Sequence, residues 1–212
     1  EDNYQLSIYL HNSQLFLEFE KNENMLIELS QLNDFQMIFE KSENTWQSLC
    51  DNIGKIIDFD RIMIYQFLED SSGIVIAERM KNRGESLLGY RYPEFDIPIQ
   101  ARQLYLKNVS RQTPDIHAKV IDVYGLPSTE IDLSKSQIRA LSPIHLQYLS
   151  NFGVSASASF SIIIDNKLWG LVACQNFTPK YITHDKRSLC VFITHYAANK
   201  YLVQRQRLKI RQ

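Results

Sequence analysis

Cysteine is scarce in this sequence and net charge is nearly absent, and each shortage removes a class of protein. Three cysteines among 212 residues, Cys50, Cys174 and Cys190, include no close pair, so neither a disulfide framework nor a zinc site can be built from them. A net charge of -1 provides no bulk attraction to nucleic acid or to an anionic membrane. No apolar run is long enough to span a bilayer, and EDNYQLSIYL lacks the features of a signal peptide, which sets the expectation of a cytoplasmic protein. Catalytic signatures are missing too. No serine stands in a Gly-x-Ser-x-Gly elbow, and there is neither a Gly-rich phosphate loop nor an HExxH, so the chain is not expected to be an enzyme. Charge gathers only near the C-terminus, at Lys200, Arg205, Arg207, Lys209 and Arg211, as on a solvated helix face.

What remains is an ordinary globular composition, 44% apolar and 22% charged, long enough for one domain with a sizeable core. The segment LSIYLHNSQLFLEFE reads as a β-hairpin around His11-Asn12-Ser13. Residues 1–22 are expected to be the last strands of a preceding domain, and 23–41 a linker with a short helix. From Ser42, a possible N-cap, Trp46, Leu49, Cys50, Ile53 and Ile57 fall at helical spacing. RIMIYQF and GIVIAERM follow as strands, 61–67 and 73–80. Long irregular stretches run from Arg83 to Phe95 and through VIDVYGLPSTEIDLSKS; loops of such length tend to be functional or disordered. Asp96 stands where an N-cap of the next short helix is expected.

Ser142, Pro143 and Gly153 punctuate a further helix. VSASASFSIIIDNKLWGLVACQNF reads as two strands joined at Asp165-Asn166-Lys167, and a last helix runs from about Asp185, with Leu189, Phe192, Ile193, Tyr196 and Ala197 on one face. The expectation is an α+β domain with a mostly antiparallel sheet, 42–212, its terminal helix continuing into another domain or a dimer bundle.

Two features carry chemistry. Ser155, Ser157, Ser159 and Ser161 project to one face of a strand whose other face is Ala156, Ala158 and Phe160. Serine is a poor strand former, so this face is either solvated or a ligand wall. His145 is expected on an apolar face with Ile144, Tyr148, Leu149 and Phe152. Arg111 and Arg139 could each fork onto a carboxylate. Aromatics, guanidinium groups, hydroxyls, one His and one Asp together suit a large planar ligand carrying carboxylates.

FDRIMIYQF, YPEFDIPIQARQLYLKN and IRALSPIHLQYLSNFGVSASASFSIIIDNKLWGLVAC resemble the GAF domain of phytochromes, bacteriophytochromes above all, over nearly all of 42–205. The hairpin is similar to the end of the PAS domain that precedes it in that family, and the last helix would lead into a PHY domain. The resemblance implies a linear tetrapyrrole, a biliverdin-type bilin, and red/far-red photosensing within a longer signalling protein, as a homodimer through helices. It implies that Asp96 offers its backbone carbonyl to pyrrole N–H groups while its side chain gates a later step. His145 would lie by the central pyrroles. Arg111 and Arg139 would clamp propionates with Ser157, Ser159 and Tyr105, and Tyr65, Tyr92, Tyr148 and Met63 would surround the rotating ring D. Ile97 of the Asp-Ile-Pro motif belongs to the same pocket.

Three positions depart from the family. Ile144 replaces the thioether-forming Cys of plant and cyanobacterial members, so no attachment occurs there; an upstream Cys would carry any covalent bond. Gln175 stands where a His usually bonds the ring-D carbonyl. Phe95 replaces a small residue and is expected to fill part of the pocket. The alternatives are a bilin-free domain serving dimerisation or relay, and a GAF domain for a cyclic nucleotide.

Overall fold

The computed structural model describes residues 3–21, 29–81, 84–125 and 130–210. Residues 1, 2 and 22 of the expected preceding-domain segment, 23–28 of the expected linker, Arg83, part of the second long loop and Arg211 lie outside them. The hairpin comprises β1 (Tyr4–His11) and β2 (Gln14–Lys21), with Asn12 and Ser13 both at positive φ. That is the two-residue turn whose twist matches that of paired strands. Its polar face turns inward and its apolar face outward: Leu6, Ile8 and Leu10 pair with Phe19, Leu17 and Leu15, and all six are exposed. The clasp holding it is ionic. Arg187, only 1% exposed, donates to Glu20 Oε1 at 2.7 Å and to the Ile182 carbonyl at 2.9 Å, and His11 meets Asp132 at 2.8 Å.

Helix α1 (Leu29–Lys41) occupies the end of the expected linker, and α2 spans Thr45–Ile57. The cap of α2 is Asn44, not Ser42: its side chain accepts from the Gln47 amide at 3.0 Å, three residues into the helix, where a short Asx side chain reaches. Strands β3 (Arg61–Phe67) and β4 (Gly73–Met80) fall where the sequence places them. After the two-residue β5 (Arg91–Tyr92) come a 3₁₀ turn, Glu94–Asp96, and α3 (Ile99–Lys107). Strand β6 (Ser110–Thr113) then precedes α4 (Pro143–Asn151), β7 (Ala156–Ile164), β8 (Lys167–Asn176) and α5 (His184–Ile210). The Ser142 side chain caps α4 and Gly153, at φ +67, ends it, a left-handed conformation that glycine adopts without a Cβ clash.

The six strands order as β5-β4-β3-β8-β7-β6, every neighbour antiparallel. One face packs on α2 and α5 and forms the main core, including Leu49, Ile53, Phe160 and Ile193, all fully buried or nearly so. The three cysteines are buried in it as apolar residues. Burial corrects the reading of α5: Leu189, Ile193 and Ala197 pack inside this domain, while Phe192 is half exposed, so that face is covered by the chain's own sheet. Stacked Trp46 and Trp169, 4.5 Å apart, with Tyr201 at 5.0 and 5.2 Å, pin α5 further along.

Candidate functional site: a cleft on the second face of the sheet

The other face of the sheet bears an open cleft, the concave kind of surface in which small molecules are held. Alternation along the strands builds its floor. Ile62 and Ile64 of β3 enter the core while Met63 and Tyr65 turn to the cleft. On β7 the alternate residues Ser157 and Ser159 do the same. Helix α4 and the segment from Tyr92 to Tyr105 form the walls.

Of the sequence candidates, Met63, Tyr65, Tyr92, Asp96, Ile97, Tyr105, Arg111, His145, Tyr148, Ser157, Ser159 and Gln175 line this one cleft. Two do not. Ile144 is 86% exposed; it precedes His145 by one residue, a turn of about 100°, so the two cannot share a helix face. Arg139 spends its Nη1 on the Ser134 and Ser136 carbonyls, at 2.9 and 3.3 Å, and braces the loop instead. Phe95 also departs from expectation. It is 78% exposed and outside the lining, because the 3₁₀ turn directs adjacent residues apart and only Asp96 reaches the cleft.

The four serines divide. Ser157 and Ser159 line the cleft, Ser159 in register with Arg111 on β6. Ser161 donates to the Tyr105 carbonyl at 2.7 Å, and Ser155 to the Phe177 carbonyl at 3.0 Å.

Arg111 is the site's uncompensated charge. Nη2 donates to the Ala140 carbonyl at 2.9 Å, but Nε is buried with no partner among the described residues. Burial, then the nearby Arg139 charge, lowers its pKa from 12.5 to about 10. A half-buried guanidinium whose Nε is buried without a partner among the described residues is costly unless an anion meets it. Burial, with Arg111 second, also lowers the His145 pKa, favouring the neutral imidazole, whose ring stacks on Tyr148 at 5.9 Å.

On the β3 side the lining is phenolic. Tyr65 Oη is buried with no partner among the described residues. Burial first and the charge of Asp96 second push its pKa up to about 12; Tyr148 rises to about 12 through burial and its neighbours Tyr92, Asp96 and Tyr65. The Tyr65 ring lies across Gly73, where a Cβ would sit 1.9 Å from its Cζ, so a side chain there would displace the phenol.

Asp96 is not an N-cap. Pro98 takes that position in α3 and no side chain caps the helix, and burial raises the Asp96 carboxyl pKa. The segment is held instead by Arg102, which the sequence reading left without a role. Its Nε donates to the Ile97 carbonyl at 2.7 Å, Nη2 to the Ser71 carbonyl at 2.5 Å, and its guanidinium lies 4.3 Å from the Phe67 ring centre. The signal is an Arg in the first turn of the helix that follows Ile97, near enough for its long side chain to reach back to that carbonyl. Cys174 reaches the lining, but burial raises its thiol pKa well above normal, leaving it protonated and unreactive.

Residues 42–199 match the GAF domain family, and the chain belongs to it. Within that family it is a phytochrome-type domain. It is 44% identical over 151 residues to Cyanobacterial phytochrome B of Nostoc sp., covering 69% of this chain and 20% of that one. To the Bacteriophytochrome of Pseudomonas aeruginosa it is 42% identical over 144 residues, covering 66% and 20%. The chain therefore spans about a fifth of the length of the curated relatives it matches. Among solved structures, the chromophore-binding domain of an unusual bacteriophytochrome from R. palustris superposes with a TM-score of 0.85 at 31% identity, covering 96% of this chain and 70% of that one. The chromophore-binding domain of Stigmatella aurantiaca phytochrome P1 superposes at 0.83 and 32% identity, covering 93% and 69%.

Proposed function

We propose that this chain is the bilin-binding part of a red/far-red photoreceptor, and that its ligand is a biliverdin-type linear tetrapyrrole. One observation carries the reading: a single cleft joins an anion-seeking Arg111, beside two serines, to a phenolic cage around Tyr65. The unpartnered Nε of Arg111 fits a propionate and the unpartnered Tyr65 Oη fits a polar edge of a flat ligand. When bound, a bilin supplies visible absorption and a double-bond isomerisation.

The residues divide that work. Arg111, Ser157, Ser159 and Tyr105 hold a carboxylate, with Arg139 keeping the adjoining loop in place. His145 offers a neutral imidazole over the middle of the cleft, where it can hold a proton or a water. Asp96 presents its backbone carbonyl, beside Ile97, from a segment kept rigid by Arg102, and the Asp96 carboxyl gates the step that follows photoisomerisation. Tyr65, Tyr92, Tyr148 and Met63 surround the rotating ring. The chain itself holds no covalent link; an upstream cysteine would supply one.

The outward apolar face of β1–β2 supports the hairpin as part of a PAS domain over residues 1–22, with the GAF domain over 42–212 passing its signal through α5 to a PHY domain. The assembly is a cytoplasmic homodimer whose catalysis, if a sensor kinase, resides outside this chain. Phe95, turned to solvent, gives the bilin-free reading no support.

The test is an absorbance spectrum of the chain with biliverdin before and after red light, then denaturation and zinc staining. A sharpened far-red band that changes on illumination, with no zinc fluorescence on the denatured chain, is the expected result. A spectrum equal to that of free biliverdin would sink the proposal.

A further inference from the structure

A strap of chain, residues 130–140, ties the β1–β2 hairpin to the carboxylate end of the cleft. At the hairpin turn His11 Nε2 lies 2.8 Å from Asp132 Oδ2, and Asn12 Nδ2 donates to the same oxygen at 3.2 Å. Gln14 Nε2 donates to the Glu130 carbonyl at 3.2 Å. The Ser134 amide first and His11 second hold the Asp132 carboxyl well below the usual carboxylate range. An ionised carboxylate only accepts, so His11 Nε2 carries the proton and donates.

The strap carries that anchor inward. Its middle is buried, with Ser136 2% exposed, and its carbonyls meet donors. Arg139 Nη1 reaches those of Ser134 and Ser136 at 2.9 and 3.3 Å, and Asn108 Nδ2 those of Lys135 and Ser136 at 3.2 and 2.9 Å. At the far end the Ala140 carbonyl receives Arg111 Nη2 at 2.9 Å. A guanidinium fork is planar and rigid, so holding Nη2 also sets where the Nε–H points. We infer that the strap makes the hairpin part of the carboxylate site, with His11 a positioning residue that aims Arg111 through Asp132 and touches no ligand itself. The inference rests on the bilin reading for the ligand's identity, and on hydrogen bonds of this chain alone for the coupling.

The experiment is titration of the full chain with biliverdin and, separately, with biliverdin dimethyl ester, which has the same conjugated system and no carboxylates. His11→Ala removes the donor to Asp132, while the Glu20–Arg187 pair keeps the hairpin docked. It is expected to weaken biliverdin about threefold, the low end for a residue that acts on a site from outside it, and to leave the ester unchanged. His11→Gln, whose amide can donate from a similar reach, is expected to restore the affinity. A role limited to packing the ring near Phe16 would not be rescued in this way. In the Arg111→Gln background His11→Ala should do nothing.

Unchanged biliverdin affinity in His11→Ala overturns the inference, as does an equal loss for acid and ester or a loss that persists without Arg111. If the wild type leaves biliverdin free, the bilin reading fails first, and the Arg111 Nε–H resonance of the ligand-free chain then decides the coupling alone. A resonance that moves in His11→Ala and returns in His11→Gln supports it, and one indifferent to His11→Ala overturns it.

Discussion

Strand β7 shows two different surfaces. Toward α2 and α5 it presents Ala156, Ala158, Phe160 and Ile162, all buried in the core; toward the cleft it presents Ser157 and Ser159, half-buried beside Arg111. The first surface is dry and close-packed, where each methylene removed leaves a void. The second carries a poor strand former and a guanidinium without a counter-ion, neither of which stabilises the fold. Stability thus resides on one side of the sheet and recognition on the other, with the dry face offsetting what the wet face costs.

Substitutions on the two sides should separate accordingly. The largest loss is expected on the dry face: Leu49→Ala should cost about 2–5 kcal/mol in urea unfolding through a cavity between α2 and the sheet. Gly73→Ala comes next, at about 1–3 kcal/mol, because its Cβ collides with the Tyr65 ring. Unlike Leu49→Ala, it should also disturb biliverdin absorbance.

Arg111→Gln inverts the pattern, weakening biliverdin by about tenfold or more on titration, as expected for a charge-assisted contact. The melting temperature should hold or rise, since a half-buried charge with no anionic partner among the described residues is removed. A stability loss comparable to that of Leu49→Ala would show the two faces not to be separable.

A smaller effect concerns pH. Because the folded pKa of His145 is depressed, the unfolded chain binds the proton more readily, so this group's contribution is whole above about pH 6.5. It is lost as pH falls below that value and through the lower folded pKa, and His145→Gln should flatten the dependence of melting temperature on pH below about 6.5. The smallest change is expected from Phe95→Ser, within about 0.5 kcal/mol and with no change in biliverdin affinity, since the ring faces water.

Most elements were readable from local pattern. The alternation of RIMIYQF and GIVIAERM and the Ser142-Pro143 start of α4 required no partner to be recognised. Strand β6 was not readable: SRQT is short and polar, and it is a strand only because β7 offers an edge to pair with. Asn44 displaced Ser42, and Pro98 displaced Asp96, because a cap is decided by which side chain meets a free amide and not by residue type alone. Within the site, side-chain types pointed to an acidic planar ligand, but direction misled at Ile144, Arg139 and Phe95. Each sits one residue or one loop turn from a lining position and faces away.

Taken alone, the sequence determined the family, the strand alternation that separates core from cleft, and the residue types gathered for a carboxylate-bearing ligand. These are local or near-local properties, set by periods of 2 and 3.6 residues. Tertiary structure decided what depends on distant neighbours: the apolar face of α5 closing over its own sheet, Arg102 holding the Asp96 segment, and Arg61 meeting the Gln175 amide oxygen. Arg61 and Gln175 are 114 positions apart in the chain, and only the pairing of β3 with β8 brings the guanidinium to the amide oxygen.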